Sequence, residues 1–136
     1  MVIDKNFLLD YTRFVDEVTS DASSDAQSFS DALDVIDGFG VSPERILTAA
    51  IGISAEGGEF AEIVKKSIFQ AKPMDDDAQY HMKRELGDIL WYVTQACIAL
   101  GISLEDVIDT NIQKLEARYP DGFEAFRSEN RKEGDI

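Results

Sequence analysis

The sequence predicts an all-α protein, built as a helical bundle of four main helices. Three observations support this class: apolar residues recur at helical spacing in nearly every segment, helix start and stop residues separate these segments, and no segment alternates with period two for long enough to form a strand. The chain has 136 residues, of which 44% are hydrophobic. That length and composition suit one core, so we expect a single domain, residues 1–136.

The N-terminal part of the chain predicts two helices joined by a loop. Apolar residues from Phe7 to Val18 recur at i, i+3, i+4 and i+7, which predicts a first helix over residues 4–19. Residues 20–30 are rich in serine, aspartate and alanine and indicate a loop. A short helix over residues 29–37 is expected next.

Two long helices follow. Ser42 is a suitable N-cap and Pro43 a suitable first helical residue, so a helix is expected from there to about residue 70, ahead of Pro73. Three aspartates, residues 75–77, favour the start of the next helix, where negative charge interacts well with the helix dipole. Gly101 is a typical residue to end it.

The fourth main helix has the clearest start signal. Ser103 and Asp106 have the spacing of a capping box, and Pro120 with Gly122 ends the helix. From Glu124 onward the chain is polar, and residues 124–136 are expected to form a frayed tail.

Charge and cysteine content exclude several functions. The chain has 27 acidic and 13 basic residues and a net charge of −14, which disfavours binding to nucleic acid polymers and to anionic membranes. One cysteine, Cys97, cannot form an internal disulfide, and with a single histidine the chain has no zinc-ligand pattern. No apolar stretch approaches the roughly 20 residues of a membrane span, so a cytoplasmic protein is expected.

Four acidic residues sit where helices should be buried. Glu56 and Glu59 lie three residues apart on the second long helix, with two poor helix formers, Gly57 and Gly58, between them. Glycines there predict a close approach of another helix, a metal or a ligand to the backbone. Glu85 and Asp88 repeat the spacing on the third, directly before an apolar run. If the two helices pack side by side, these carboxylates converge, and a raised pKa or a bound cation relieves their repulsion. Oxygen ligands without histidine or cysteine favour Mg²⁺, with Mn²⁺ as a substitute.

The fourth helix carries the opposite charge. Asn111, Lys114 and Arg118 lie at i, i+3 and i+7 on one face. A lysine and an arginine there suit phosphate oxygens. Taken alone, they are more typical of ordinary ion pairs with Glu116 or Asp109, but beside the two acid pairs we favour phosphate binding. Together with a carboxylate-held cation, this stripe suggests phosphoanhydride chemistry.

These residues also match a family pattern. The segments AEGGEFAEIVKK, ELGDILWYV and NIQKLEARYPDGF, within residues 49–123, resemble the MazG-like nucleoside triphosphate pyrophosphohydrolases of the all-α NTP pyrophosphatase superfamily. The signature of that family is an ExxE pair followed by an ExxD pair, here Glu56 with Glu59 and Glu85 with Asp88. Residues 1–40 form a divergent N-terminal region, although the segment around Tyr11 is similar to the helix that opens such chains.

The resemblance implies a function and an assignment of roles. It implies hydrolysis of a nucleoside triphosphate between the α and β phosphates, giving a monophosphate and pyrophosphate in a homodimer or homotetramer whose sites lie between subunits. The two acid pairs would bind magnesium, and one of them or Glu62 would orient the attacking water. The residues expected to contact the substrate are Asn111, Lys114, Arg118, Trp91, Tyr92 and Lys65.

Several alternatives remain open at this stage. Trp91 and Tyr92 suit base stacking and core packing equally well. A related enzyme, phosphoribosyl-ATP pyrophosphohydrolase, shares the superfamily, and a helical interaction module that binds cations only for stability is the non-enzyme alternative. The spacing does not identify the base. A stand-alone chain of this kind is similar to phage and bacterial versions, for which a (deoxy)guanosine triphosphate preference and, for a phage protein, a host-cytoplasmic location are the hypotheses.

Overall fold

A computed structural model describes residues 5–130 of the protein, and all regular secondary structure within that range is helical. The all-α prediction is therefore confirmed. The chain divides into two units, Met1–Pro43 and Glu44–Ile136, which are described in turn. The helices are α1 (Lys5–Glu17), α2 (Asp21–Ser24), α3 (Ala26–Gly38), α4 (Pro43–Phe69), α5 (Asp76–Leu100), α6 (Leu104–Arg118) and α7 (Ala125–Glu129).

The first unit contains α1, α2 and α3. The predicted first helix is present as α1, and residue 4 lies outside the described residues. The loop predicted for residues 20–30 is wrong, because this segment contains α2 and the start of α3. The Asp25 carboxylate accepts a hydrogen bond from the backbone N–H of Ser28 at 2.7 Å and caps α3. The Asp25 side chain thus caps a helix in a segment whose composition had indicated a loop.

In the second unit, α4 has the predicted extent. It begins at Pro43, whose missing N–H removes no helical hydrogen bond, and it ends at Phe69. The backbone N–H groups of Gln70 and Lys72 both donate to the carbonyl oxygen of Lys66, at 3.1 and 3.2 Å. Between them Ala71 adopts a left-handed conformation with a φ of 51°. This turn reverses the chain ahead of α5.

Both ends of α5 lie where the sequence predicted them, and each end has a cap; the glycine cap was predicted, whereas the aspartates were predicted only to interact with the helix dipole. At its start the Asp75 carboxylate accepts from the backbone N–H of Ala78 at 3.0 Å. At its end Gly101 has a φ of 66°, and the N–H of Ile102 donates to the carbonyl of Cys97 at 3.0 Å. A glycine in this left-handed conformation ends a helix without steric cost from a β-carbon.

The predicted capping box starts α6. The Ser103 hydroxyl accepts from the N–H of Asp106 at 3.0 Å, and the Asp106 carboxylate accepts from the N–H of Ser103 at 2.9 Å. The axes of α5 and α6 are bent by 99°. Within residues 5–130 no single helix has the length and apolar character needed to cross a membrane; α5 and α6 meet that criterion only as a bent pair, by length and composition.

Helices α4 and α5 pack antiparallel: residues that come earlier on α4 contact residues that come later on α5. The Arg45 guanidinium donates to the side-chain oxygen of Gln95 at 2.6 Å. Farther along α4, the Tyr92 ring lies directly against the backbone of Gly52, where a β-carbon would overlap the ring. Gly52 therefore permits the close approach of the two helices. Among the residues whose burial is described, 6–130, the buried hydrophobic residues are small: Ala49, Cys97 and Ala99.

After α6 the polar tail is partly ordered. The expected frayed tail is wrong for residues 125–129, which form the short helix α7. The Arg127 guanidinium pairs with Glu124 at 2.9 Å and also donates to the carbonyl of Arg118 at 3.4 Å. The second of these bonds links α7 to the end of α6. Residues 131–136 of the predicted tail lie outside the described residues.

Candidate active site

Three of the four predicted acids come together between α4 and α5. Glu56, Glu59 and Glu85 each provide a carboxylate oxygen, and these oxygens lie within 4.8 Å of one another. Glu56 and Glu85 are half-buried, whereas Glu59 is exposed. We call these three residues the carboxylate cluster. Asp88 is exposed and belongs to the same electrostatic environment, because its charge acts on Glu56.

The antiparallel packing of α4 and α5 explains this convergence. Gly52 of α4 meets Tyr92 of α5, and Glu56 lies one turn after Gly52 while Asp88 lies one turn before Tyr92. Residues that advance by one turn on α4 therefore meet residues that recede by one turn on α5. The ExxE and ExxD pairs face each other for this reason.

The cluster raises the pKa of Glu56 above its ordinary value. Desolvation is the main cause, followed by repulsion from the charges of Glu59, Asp88 and Glu85, and by a side-chain hydrogen bond with Glu85. Each of these effects disfavours the charged form of the carboxyl group. A bound cation would reverse the repulsion, because the same charges would then share a positive partner.

The donor set fits a hard divalent cation. All three ligand groups are carboxylates, and no sulfur or imidazole enters the cluster. Such a donor set suits Mg²⁺ and Mn²⁺ better than it suits zinc or copper. Two oxygens bound to one Mg²⁺ at 2.0–2.1 Å are about 3–4 Å apart. The separation of the cluster oxygens, within 4.8 Å, therefore requires only small side-chain adjustments to bind one ion.

The two glycines between Glu56 and Glu59 face open space. A β-carbon added at Gly57 or Gly58 would meet no atom within 4 Å among the described residues. The sequence predicted a close approach of a helix, metal or ligand at these glycines. Within the described part of the chain, the helix approaches at Gly52 instead, which the sequence analysis did not single out. In the sequence, the feature that could have indicated this close approach is a glycine within the apolar part of a long helix.

Glu62 differs from its neighbours in the cluster. Its carboxylate pairs with Lys65, and with Lys66 at 3.1 Å, both on the same helix. These side-chain hydrogen bonds to Lys65 and Lys66 hold the pKa of Glu62 below its ordinary value. Lys65, a predicted substrate contact, is thus placed against Glu62. A carboxylate with a lowered pKa is a weak base, which disfavours Glu62 as the group that deprotonates water.

A cleft adjoins the carboxylate cluster. Its volume is about 630 Å³, and it lies between the second half of α4 and the first half of α5. Glu59 and Glu85 line it, so the cleft and the cluster share two residues. Three basic or neutral nitrogen-bearing side chains that received no role in the sequence analysis also line it: Lys66, Lys72 and His81.

The basic stripe on α6 lies away from the cluster of the same chain. At about 1.5 Å per residue, Asp88 lies about 18 Å before the end of α5 and Lys114 about 15 Å beyond the start of α6. With a bend of 99° the two backbones are about 20 Å apart. Asn111 and Lys114 are exposed, and the half-buried Arg118 guanidinium lies 5.9 Å from the ring of Tyr119.

The two aromatic candidates on α5 have different surroundings. The half-buried Tyr92 packs on Gly52, which gives it a structural role. Trp91 is 54% exposed and meets the Tyr92 ring edge-on, with ring centroids 4.8 Å apart. Of the two, Trp91 retains a free ring surface on which a base can stack.

These features define a class of all-α protein whose acidic site lies between two antiparallel helices. Residues 45–123 match the family model described as the MazG nucleotide pyrophosphohydrolase domain. The match covers more than half of the chain, and the protein therefore belongs to the MazG nucleotide pyrophosphohydrolase family. It is 33% identical over 90 residues to the Gene 37 protein of Mycobacterium phage L5, a region covering 65% of this chain and 78% of the phage protein. No solved structure matches the chain significantly.

Proposed function

We propose that the protein hydrolyses a (deoxy)nucleoside triphosphate between the α and β phosphates, in a reaction that depends on Mg²⁺ or Mn²⁺. The convergence of the Glu56, Glu59 and Glu85 oxygens within 4.8 Å carries this proposal. Family membership supports the reaction class, because the matched family is described by nucleotide pyrophosphohydrolysis. A nucleotide substrate suggests activity in the cytoplasm, which would be that of the host if the protein is phage-encoded.

The proposed reaction assigns distinct tasks to the acids. Glu56, Glu59, Glu85 and Asp88 would hold the divalent cation, which supplies charge neutralisation for the phosphates when bound. The oxygen of a water molecule bonds to the α-phosphorus as the bond from this phosphorus to the bridging oxygen breaks. The pyrophosphate leaves with the electron pair of that bond, and a carboxylate of the site accepts the proton of the water. Glu59 suits this step best, because it is exposed and has no lysine partner among the described residues.

A second copy of the chain completes the site in this proposal. Lys114 and Arg118 would neutralise phosphate oxygens and Asn111 would contact sugar or phosphate, yet a distance of about 20 Å separates this stripe from Asp88 of the same chain. Next to the stripe, Ile108, Ile112 and Leu115 follow one another at i, i+4 and i+7 and are 53%, 47% and 40% exposed. An exposed apolar stripe of this kind is typical of a helix that packs against a partner. We therefore propose a homodimer or homotetramer.

The activity test is direct. The protein with Mg²⁺ is incubated with a panel of nucleoside and deoxynucleoside triphosphates and with phosphoribosyl-ATP, and the products are separated. Monophosphate and pyrophosphate are expected in equal amounts. Diphosphate and orthophosphate would contradict the proposed cleavage position. No turnover, together with retained cation binding, would instead favour a cation-binding interaction module.

The base preference needs a ranked panel. We propose (deoxy)guanosine triphosphate as the preferred substrate, on the similarity of the chain to phage and bacterial versions of the family, of which the Mycobacterium phage L5 relative is one example. Ranking the panel by kcat/KM tests this, and a higher value for a pyrimidine substrate would overturn it. Trp91→Ala is expected to raise KM for every base if this ring stacks on the substrate.

The composition of the site can be tested by mixing subunits. Glu59→Gln chains lack the cluster and Lys114→Ala/Arg118→Ala chains lack the stripe, so each variant alone is expected to be inactive. If two chains share a site, unfolding and refolding the variants together restores part of the activity, because some mixed sites contain both intact components. Absence of recovery in oligomers shown by native mass spectrometry to be mixed would place cluster and stripe functions within one chain.

A further inference from the structure

The cleft beside the carboxylate cluster is lined by three nitrogen-bearing side chains that have no role in the proposed reaction described above. Its walls include Lys66 from α4, Lys72 from the turn after α4, and His81 from α5. Glu59 and Glu85 belong both to this cleft and to the cluster. The same walls also carry the carboxylates of Glu62, Asp75 and Asp77, so a ligand that reaches from the cluster into the cleft meets both carboxylates and nitrogen-bearing side chains.

Lys66 is held in place by an acid on its own helix. Its ammonium group pairs with Glu62 at 3.1 Å, four residues earlier, and Glu62 lines the cleft as well. The pairing restricts the lysine side chain, so less conformational entropy is lost when a ligand binds it. The same pairing neutralises one of the acidic groups on this wall.

Lys72 reaches the cleft through an unusual turn. Ala71 has a φ of 51°, a conformation that residues with a β-carbon rarely adopt. The turn is closed by the backbone N–H of Lys72, which donates to the carbonyl oxygen of Lys66 at 3.2 Å. Among residues 5–130 the Lys72 ammonium has no ion-pair partner. This lysine is therefore available to a ligand.

The remaining acids on this wall are engaged in part. The Asp75 carboxylate accepts the N–H of Ala78 as the cap of α5, while Asp77 lies in the first turn of the same helix. His81 follows on the side of α5 that lines the cleft, one turn before Glu85. Its imidazole can donate a hydrogen bond to an anionic oxygen.

We infer that this cleft binds the pyrophosphate end of the triphosphate, with Lys66, Lys72 and His81 donating to the β- and γ-phosphate oxygens. The inference rests on the proposed function, since it assumes that the α-phosphate lies at the carboxylate cluster. Two lysines and an imidazole match the several negative oxygens of a pyrophosphate group. The same site holds the released pyrophosphate, so inorganic pyrophosphate is a competitive inhibitor.

The test measures binding of inorganic pyrophosphate in the presence of Mg²⁺ by calorimetry. Lys72→Met and Lys66→Met are each expected to weaken pyrophosphate about tenfold, the effect of losing one hydrogen bond to a charged group. Binding of a nucleoside monophosphate should change less than twofold in both variants. Lys72→Arg keeps the positive charge and is expected to restore most of the pyrophosphate affinity.

Lys83→Met is the matched control. Lys83 is an exposed lysine of α5 that does not line the cleft, and at 100° per residue it points about 200° away from His81. The control removes the same charge from the same helix pair and should bind pyrophosphate as the unaltered protein does. Thermal melting of all variants confirms that they fold.

The outcomes separate the inference from the proposed function. If Lys66→Met and Lys72→Met bind pyrophosphate as tightly as Lys83→Met, the inference is overturned, while triphosphate hydrolysis by the unaltered protein still supports the function. If the unaltered protein binds pyrophosphate through these lysines but hydrolyses no triphosphate, the function is overturned and the anion site stands. An unaltered protein that does not bind pyrophosphate overturns the inference directly.

Discussion

Of the three glutamates at intervals of three residues on α4, the first and the last have opposite electrostatic environments. Glu56 faces Glu85 and Asp88 of α5 in addition to Glu59, and burial and repulsion raise its pKa. Glu62 faces two lysines of its own helix, and their hydrogen bonds lower its pKa. The residue type and the helix are the same, so the difference comes from desolvation at Glu56 and from the charges that face the two carboxylates. Glu62 already has cationic partners on its own helix, whereas a bound cation would relieve the repulsion around Glu56.

The largest expected effect separates Glu59 from Glu62 in catalysis. Glu59→Gln should lower kcat about a thousandfold, because it removes a cation ligand and the preferred base. Glu62→Gln should lower kcat less than tenfold, because its carboxylate is already neutralised by lysines. Initial rates of pyrophosphate release at saturating Mg²⁺ measure both. Equal losses would show that Glu62 orients the water and that the contrast between the two glutamates does not extend to catalysis.

Cation binding gives the next largest effect. A ligand at about a hundred times its Kd stabilises the folded state by about 2.7 kcal/mol, so Mg²⁺ or Mn²⁺ should raise the Tm of the unaltered protein. The rise should be lost in Glu56→Gln and Glu59→Gln and retained in Glu62→Gln. Melting curves with and without EDTA provide the measurement. A full response to Mg²⁺ in Glu59→Gln would move the cation site away from the cluster.

Substitution of Gly52 tests whether the packing of α4 against α5 causes the raised pKa of Glu56. Gly52→Ala places a methyl group into the Tyr92 ring and should destabilise the fold by about 1–3 kcal/mol. It should also weaken Mg²⁺ binding, because α5 and its acids must move away. Gly57→Ala, with open space around it, should raise stability by up to about 1 kcal/mol through better helix propensity.

Urea denaturation of both glycine variants measures these changes in the free energy of unfolding. The pairing of Glu62 with Lys65 and Lys66 should survive in Gly52→Ala, since it lies within α4. A stability loss in Gly57→Ala would indicate that a second copy or a ligand packs against this glycine. A neutral effect of Gly52→Ala would mean that Tyr92 rotates away without cost.

The smallest expected effect is a pH dependence with opposite signs at the two sites. Without metal, the folded state holds the proton of Glu56 more tightly than the unfolded chain does, so stability falls as pH rises through its raised pKa. Glu56→Gln should remove this fall. The lowered pKa of Glu62 stabilises the fold above its ordinary carboxylate range, and that contribution is lost in acid. Glu62→Gln should remove the acid loss only. A pH series of Tm values in EDTA distinguishes the two.

Most of the helices could be predicted because their signals are local. Pro43 at the start of α4, the cap at Asp75 and the capping box at Ser103 each involve groups within a few residues of one another. The error at residues 20–30 also has a local cause, since the same serines and aspartates suit a loop and a helix cap. Asp25 was the residue that decided between them.

The candidate site was predictable only in part. The ExxE and ExxD pairs are visible in the chain, but the role of Lys72 depends on the left-handed turn at Ala71, which alanine does not signal. Similarly, the distance from the α6 stripe to the cluster depends on the 99° bend after α5. Neither feature follows from periodicity.

Glu62 and Glu56 show which electrostatic effects follow from one helix alone and which follow from the packing of two helices. The lysines that neutralise Glu62 lie three and four residues along the same helix, so the helical repeat was enough to bring these charges together. The repulsion around Glu56 requires α5 to approach α4 at Gly52, and a contact between positions forty residues apart follows from side-chain packing rather than from helical spacing. Short-range order thus came from the amino-acid pattern, whereas the convergence of carboxylates that a cation would relieve arises only when the two helices pack.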